Sequence, residues 1–217
     1  MFESVLLEPG KLYHIWTHAN GEENLFREDE NYRFFLQKYK YHVSPVADTL
    51  AYCLMPNHLH LMVRIKSKKE IAKVVQIKNT EKTKNRPNRS KDWDESKISR
   101  FTSQQFSNLF NSYTKAYNKL YSRKGSLFIP SYKRKPVSHH KYALRLIAYI
   151  HLNPVHHGFV VHPNEWIQSS WQAYCLDKET KISKKMVLEW SGGKVAFMEL
   201  HKGLQSGEVK NILEEVH

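Results

Sequence analysis

Cys53-Leu54-Met55-Pro56-Asn57-His58-Leu59-His60-Leu61-Met62-Val63 is the stretch that decides how this chain is read. An apolar run stops at a Pro-Asn step, and a second, alternating run leaves it, which is the pattern of an antiparallel hairpin. From His58 to Ile65 the alternation puts His58, His60, Met62 and Arg64 on one face and Leu59, Leu61, Val63 and Ile65 on the other, because successive strand side chains point to opposite sides. One face suits a core. The other carries two imidazoles at i and i+2, the spacing of a metal-ligand pair. A half-exposed strand with two ordinary histidines has the same pattern, so the pair gains meaning only from the rest of the chain.

The second informative stretch is Ser138-His139-His140-Lys141-Tyr142-Ala143-Leu144-Arg145-Leu146-Ile147-Ala148-Tyr149-Ile150-His151-Leu152-Asn153-Pro154. Ala143, Leu146, Ile147 and Ile150 recur at helical spacing, Ser138 is a candidate N-cap, and Pro154 is expected to end the helix at or just before Asn153. Tyr142, Arg145, Tyr149 and Asn153 then form one stripe away from much of the apolar side. A nucleophile, a cation and an amide share a face. Tyr113, Tyr117 and Tyr121, spaced by four on another predicted helix, compete for the nucleophile's role. No amide or carboxylate follows any of them as Asn153 follows Tyr149, so packing or base stacking is the expectation for that stripe.

These residues resemble the HUH-type single-tyrosine transposases, and within them the REP-associated tyrosine transposases. The similar stretches are Leu12-Tyr13-His14-Ile15, Leu25-Phe26-Arg27-Glu28-Asp29, Leu54 to Leu61, Tyr149-Ile150-His151-Leu152-Asn153-Pro154-Val155, and Ser169-Ser170-Trp171-Gln172-Ala173-Tyr174, in the family's order. The resemblance implies that Tyr149 attacks a phosphodiester of single-stranded or hairpin DNA, leaving a 5′-phosphotyrosine and a free 3′-hydroxyl. It implies further that His58 and His60, with Asn153, bind a divalent cation. A phenol with a pKa near 10 is a poor nucleophile at neutral pH, so a cation that polarises the phosphate is chemically required. Two imidazoles and an amide oxygen leave positions for phosphate and water, which suits Mg²⁺ or Mn²⁺, while imidazole also suits zinc.

The chain's 34 Lys and Arg exceed its 21 Asp and Glu by 13, a balance that points first to a polyanionic partner. Candidate nucleic-acid contacts are Arg123 and Lys124 at the end of one helix, Lys133, Arg134 and Lys135 in the following extended segment, and Arg145 on the Tyr149 stripe. Tyr132 is a candidate stacking side chain. The two cysteines form no motif and suit a reducing interior. The absence of a long apolar run or signal-like segment leads to the expectation of a cytoplasmic protein without a membrane partner, monomeric or homodimeric.

Strands are expected over Lys11–His18, Asp48–Met55, His58–Ile65 and Leu127–Val137, and helices over Asp29–Tyr41, Glu70–Ile77, Ser103–Ser122 and the Tyr149 segment. That order is compatible with an α+β, ferredoxin-like split βαβ antiparallel sheet with helices on one face, and the resemblance implies the same architecture. The expected organisation is a transposase-like domain over 1–175, with a mobile basic loop at 78–99, and a small C-terminal helical appendage over 176–217. Ile129-Pro130-Ser131-Tyr132-Lys133-Arg134 departs from the Gly-Arg-Tyr or Gly-Arg-Phe step of many relatives, and Pro130 predicts an edge strand or a later start. A non-catalytic DNA- or RNA-binding regulator on the same fold is the alternative reading. A zinc-stabilised structural protein is disfavoured by the lack of a Cys-rich motif.

Overall fold

The structure, a computed structural model, describes residues 5–82 and 93–205. Four strands, β1 (Leu12–His18), β2 (Ala47–Leu54), β3 (His58–Ile65) and β4 (Lys133–Val137), form one antiparallel sheet in the order β2-β3-β1-β4. The helices are α1 (Asp29–His42), α2 (Lys68–Lys82), α3 (Glu95–Leu120), α4 (His140–His156), α5 (Trp171–Cys175), α6 (Lys184–Ser191) and α7 (Lys194–Gln205), with a 3₁₀ turn at Pro163–Glu165. This is the ferredoxin-like α+β arrangement, and the β2–β3 hairpin closes at Pro56-Asn57, where the Met55 amide donates to the His58 carbonyl at 2.8 Å.

The strand alternation sorts the interior into two cores. Tyr13 and Ile15 of β1 and Leu59, Leu61, Val63 and Ile65 of β3 pack with Phe35 and Tyr39 of α1 and with Phe106, Leu109, Tyr113 and Tyr117 of α3. Helices cover both faces of the sheet and not one as expected, because the opposite face is also apolar: it presents Leu12, Ala51, Cys53, Met62 and Val137 to Ala143, Leu146, Ile147 and Ile150 of α4. Val187 of α6 and Phe197 and Leu204 of α7 join that second core, so the C-terminal helices dock on α4. Burying a Leu or Ile side chain is worth roughly 1.5–3 kcal/mol, so Leu146, Ile147, Ile150 and Leu152 together contribute on the order of 10 kcal/mol of gross stabilisation. That exceeds the cost of carrying a buried polar residue such as Asn153 on the same helix, roughly 1–3 kcal/mol if left unsatisfied.

Several boundaries move. Helix α3 begins at Glu95, eight residues before the expected Ser103, because Asp94 caps it by accepting from the Lys97 amide at 2.8 Å and Ile98, Ser99 and Thr102 are buried. Helix α2 runs from Lys68 through Lys82. The expected loop over 78–99 therefore contracts from both ends to 83–94, of which 83–92 lie outside the described residues. Helix α4 is capped at His139, not Ser138, and continues through Pro154 to His156. The proline forfeits only one hydrogen bond in the final turn, and the His157 amide still donates to the Asn153 carbonyl at 3.0 Å.

The last strand departs from its expected start at Leu127 in the way Pro130 predicts. Phe128 bridges to Ala19 and the Ile129 amide reaches the His18 carbonyl, after which the chain leaves the sheet at Pro130 and Ser131. Ser131 adopts φ 63°, a left-handed conformation unusual for a residue with a side chain, and pairing resumes at Lys133 opposite Trp16. The strand is an edge strand, which tolerates Pro136 within it.

Candidate functional site

Register brings the histidine face together. His58 lies opposite His18, and His60 opposite Trp16 on β1, while His14 faces Met62 one pair further along. Helix α4 crosses this face and lays Tyr149 and Asn153, one turn apart, over the imidazoles. The Tyr149 ring meets His60 edge-on at 5.8 Å between centroids. The Asn153 Oδ1 lies 2.8 Å from His58 Nε2. All four are inside the protein: Tyr149 is 3% exposed, His58 4%, His60 2% and Asn153 0%.

The hydrogen bonds around His58 define what the pocket can hold. Burial pushes His58 down to about 4, against a partial restoring effect of Asn153 and a further lowering by His18 and His157, so the ring is neutral at pH 7 and carries one N–H. Its Nδ1 lies 2.8 Å from the Asn57 Oδ1. If Nδ1–H donates there, Nε2 offers a lone pair directly to the Asn153 oxygen, and two acceptors face each other at a separation that favours a positive centre beside both. With that tautomer His58 Nε2, together with His60 and the Asn153 oxygen, would hold a divalent cation such as Mg²⁺ or Mn²⁺, which would supply charge neutralisation at a phosphate. Asn57 would then fix the tautomer from behind, the outer role usual for metal-binding imidazoles. His60 has an analogous neighbour, with its Nδ1 3.0 Å from His14 Nε2. Among the described residues no group of three His, Cys, Asp or Glu side chains is arranged to hold a metal, so any cation here would depend on the Asn153 carboxamide.

Burial raises the Tyr149 phenol above its usual range, and the neighbouring Asn153 carboxamide draws it back only in part. The ring is packed in the second core, with His156 stacked 6.0 Å away two turns further along the helix. An undirected phenol in this place is weakly acidic, so its reactivity would require charge stabilisation at the phosphate.

The other sequence candidates divide. Arg145 is exposed one turn ahead of Tyr149, and Lys133, Lys135 and Lys124 are exposed. The strand pairing sets Lys133 beside Trp16 and Lys135 beside His14, on the histidine side of the sheet. Tyr132 and Arg134 take the other side: Tyr132 packs on Phe106 and Phe110, its hydroxyl donates to the Ser103 carbonyl at 3.3 Å, and Arg134 donates to that hydroxyl at 2.8 Å and to Ser103 Oγ at 3.1 Å. Arg123 pairs with Glu23 at 3.0 Å and donates to the Ser126 carbonyl at 2.9 Å, which fastens the turn after α3. The competing tyrosines are packing residues, with Tyr113 and Tyr117 donating to the Leu25 and Asn24 carbonyls and Tyr121 to Glu28. Tyr142 packs at the margin of the second core.

Sequence reasoning missed His14, Trp16, His18 and His157. The first three alternate along β1 and stack in the site, His14 on Trp16 at 4.6 Å and His18 on His58 at 5.0 Å, so period-two reading of Lys11–His18 carried the signal. His157, 4.9 Å from His58, lies beyond the residue where Pro154 was expected to end the helix, and it reaches the site only because the helix continues.

The sheet order, the His-x-His strand and the Tyr-x-x-x-Asn helix bring two imidazoles, a phenol and a carboxamide together on one face of an α+β fold. No protein-family profile matches the sequence, and no curated protein matches it. A solved structure described as the REP associates tyrosine transposase bound to a REP hairpin is similar over 81% of this chain and 84% of that one, with a TM-score of 0.55 and 13% sequence identity. The protein shares that fold. No helix among the described residues is long and apolar enough to cross a membrane.

Proposed function

We propose that the protein is a metal-dependent single-tyrosine DNA nickase and strand transferase acting on single-stranded or hairpin DNA. The observation that carries this reading is the convergence of Tyr149 and Asn153 from α4 on His58 and His60 from β3, at contact distance across 95 residues of sequence between His58 and Asn153. The similar structure, a transposase bound to a DNA hairpin, supports the same substrate class.

The chemistry follows from the residues. The Tyr149 oxygen attacks phosphorus, the bond from phosphorus to the 3′ oxygen breaks, and a 5′-phosphotyrosine forms. The phenol gives up its proton and the departing 3′-hydroxyl takes one up, so the step is a balanced transesterification. A 3′-hydroxyl attacking the phosphotyrosine reverses it and joins strands. A bound Mg²⁺ or Mn²⁺ would neutralise charge that builds on the phosphate oxygens. His58, His60 and Asn153 would hold it, Asn57 and His14 would orient the two imidazoles, and α4 would keep the nucleophile and the amide ligand in register. Exposed Arg145, Lys133 and Lys135 would contact the phosphate backbone.

The test is incubation of wild type and Tyr149→Phe with labelled hairpin DNAs and Mn²⁺ on a denaturing protein gel. Label should migrate with wild type alone, and an adduct that persists in the variant would sink the assignment. The deep burial of Tyr149 favours one other reading, a non-catalytic DNA- or RNA-binding protein on this fold. Tight, salt-sensitive binding with no adduct under any divalent cation would establish that reading instead.

A further inference from the structure

A groove of about 700 Å³ lies along the outer edge of β2, on the α1 side of the sheet and away from the histidine face. Two segments from after α4 wall it off. The Leu54 and Ser170 amides bond to the Gln168 and Tyr52 carbonyls at one end, the Ser183 amide bonds to the Thr49 carbonyl at the other, and between them the Leu50 carbonyl accepts from the Tyr174 hydroxyl at 2.6 Å. The floor is apolar and aromatic, formed by Leu36, Tyr39, Tyr52, Leu54 and Ile182. Ile167, at its rim, is 67% exposed, a large apolar side chain left facing water.

The charges at the mouth are all of one sign. Arg33, Lys40 and Lys181 line it, and no lining residue is acidic. Arg33 has a long ion pair with Glu30 at 3.5 Å. The other two cations meet each other: Lys40 sits against Lys181 and lowers its proton affinity. Both side chains are exposed, so two cations stand together at the mouth of an apolar cleft, a placement that would attract an anion. Hydroxyl and amide groups, among them Gln37, Ser44, Thr180 and Gln172, stand between floor and mouth. Concave, mostly apolar sites of roughly 300–1,000 Å³ with a few directed polar groups are the usual form of a small-molecule site.

We propose that this groove binds a small organic anion with a flat or aliphatic apolar body, its head held by Lys40 and Lys181 and its body laid on Tyr52, Leu36 and Ile182. Two sources share that chemistry, a nucleoside monophosphate and an aliphatic carboxylate. The occupant would also touch Ser170, whose hydroxyl bonds His151 of α4 at 2.8 Å, so the site is linked to the helix that carries Tyr149.

The test uses full-length protein and anilinonaphthalene sulfonate, an aromatic body with an anionic head, followed by fluorescence. Wild type and Tyr149→Phe should bind it saturably at one site with equal affinity, so failure of the transposase reading leaves this result untouched. The Lys40→Glu, Lys181→Glu double variant should bind about tenfold or more weakly, because the charge-assisted hydrogen bonds to the head are removed. Ala173→Trp, which fills the groove without changing charge, should also abolish binding, and Lys181→Gln on its exposed segment serves should either other variant fail to fold. Displacement of the probe by adenosine monophosphate or by octanoate then assigns the source. Non-saturable binding, or equal binding by the charge-reversed and groove-filled variants, would overturn the proposal.

Discussion

Acidification should loosen the docking of α7 on α4 through the His151–His201 pair, and the size of the effect follows from its hydrogen bonds. His201 Nδ1–H donates to the Phe197 carbonyl at 2.8 Å, which leaves Nε2 to accept from His151 Nδ1–H at 3.0 Å. His151 Nε2 in turn accepts from the Ser170 hydroxyl at 2.8 Å. Both rings are neutral in this relay, and an added proton would set two donors face to face. Burial, with the neighbouring His201, holds His151 well below the ordinary imidazole range, and burial holds His201 down to about 4. Unfolded imidazoles titrate near 6.5, so between pH 6.5 and about 4 the unfolded chain binds a proton that folded His201 refuses. The contribution is present in full above pH 6.5 and is lost as pH falls through that window, at about 1.36 kcal/mol per pH unit. Over about two units His201 alone accounts for roughly 2–3 kcal/mol, and His151 adds in the same direction. His58 and His156, also lowered, act with the same sign, so wild type alone does not isolate the pair.

His201→Phe supplies the difference. It keeps a ring among Trp171 and Phe197, and leaving His151 without its acceptor costs about 1–3 kcal/mol near neutrality. It also removes one titrating group from the linkage. Urea unfolding followed by circular dichroism between about pH 7.5 and 4.5 should give a stability curve lower at neutral pH but shallower by about 1.36 kcal/mol per unit. Parallel curves for variant and wild type would refute the reasoning, whatever their vertical offset.

Asn57→Ala should weaken Mn²⁺ binding about 10–100-fold by removing the group that fixes the His58 tautomer, measured by calorimetric titration; unchanged affinity would detach Asn57 from the site. Lys133→Glu with Lys135→Glu should lower affinity for single-stranded DNA across sequences and reduce the slope of log K against log salt by about 0.7 for each phosphate that the variant no longer neutralises. Arg123→Ala should act chiefly on stability, lowering the melting midpoint by a few degrees because its ion pair with Glu23 and its hydrogen bond to Ser126 are removed, with a salt slope for DNA binding like that of wild type. A slope reduced in that variant would return Arg123 to the DNA-binding set.

The parts of the fold legible in the sequence are those with a strong period. The alternation from His58 to Ile65 specifies both the strand and the face each residue takes, and the tyrosine and amide four apart on α4 have to share a side of the helix. Weakly periodic stretches mislead at their ends. Lys78–Lys82 and Glu95–Ser99 have the composition of a polar loop, yet the first continues a helix already begun and the second is capped by Asp94 and buries Ile98. For Tyr132, Arg134 and Arg123 the sequence reports a charge or a ring without its direction. The pleat turns Tyr132 and Arg134 toward α3, and Glu23 lies close enough to claim Arg123.

By itself the sequence determined which residues could perform the proposed chemistry and which local face each would share: the imidazoles on one side of β3, and Tyr149 with Asn153 on one side of α4. Local periodicity is a property of the backbone, so it can be read without knowing what lies opposite. Only the tertiary structure decided that these faces meet, that β1 adds His14, Trp16 and His18 to them, and that α6 and α7 close over α4. Those outcomes depend on strand register and on which apolar surfaces find each other, and such pairings join residues far apart in the chain, where no repeat or spacing records them.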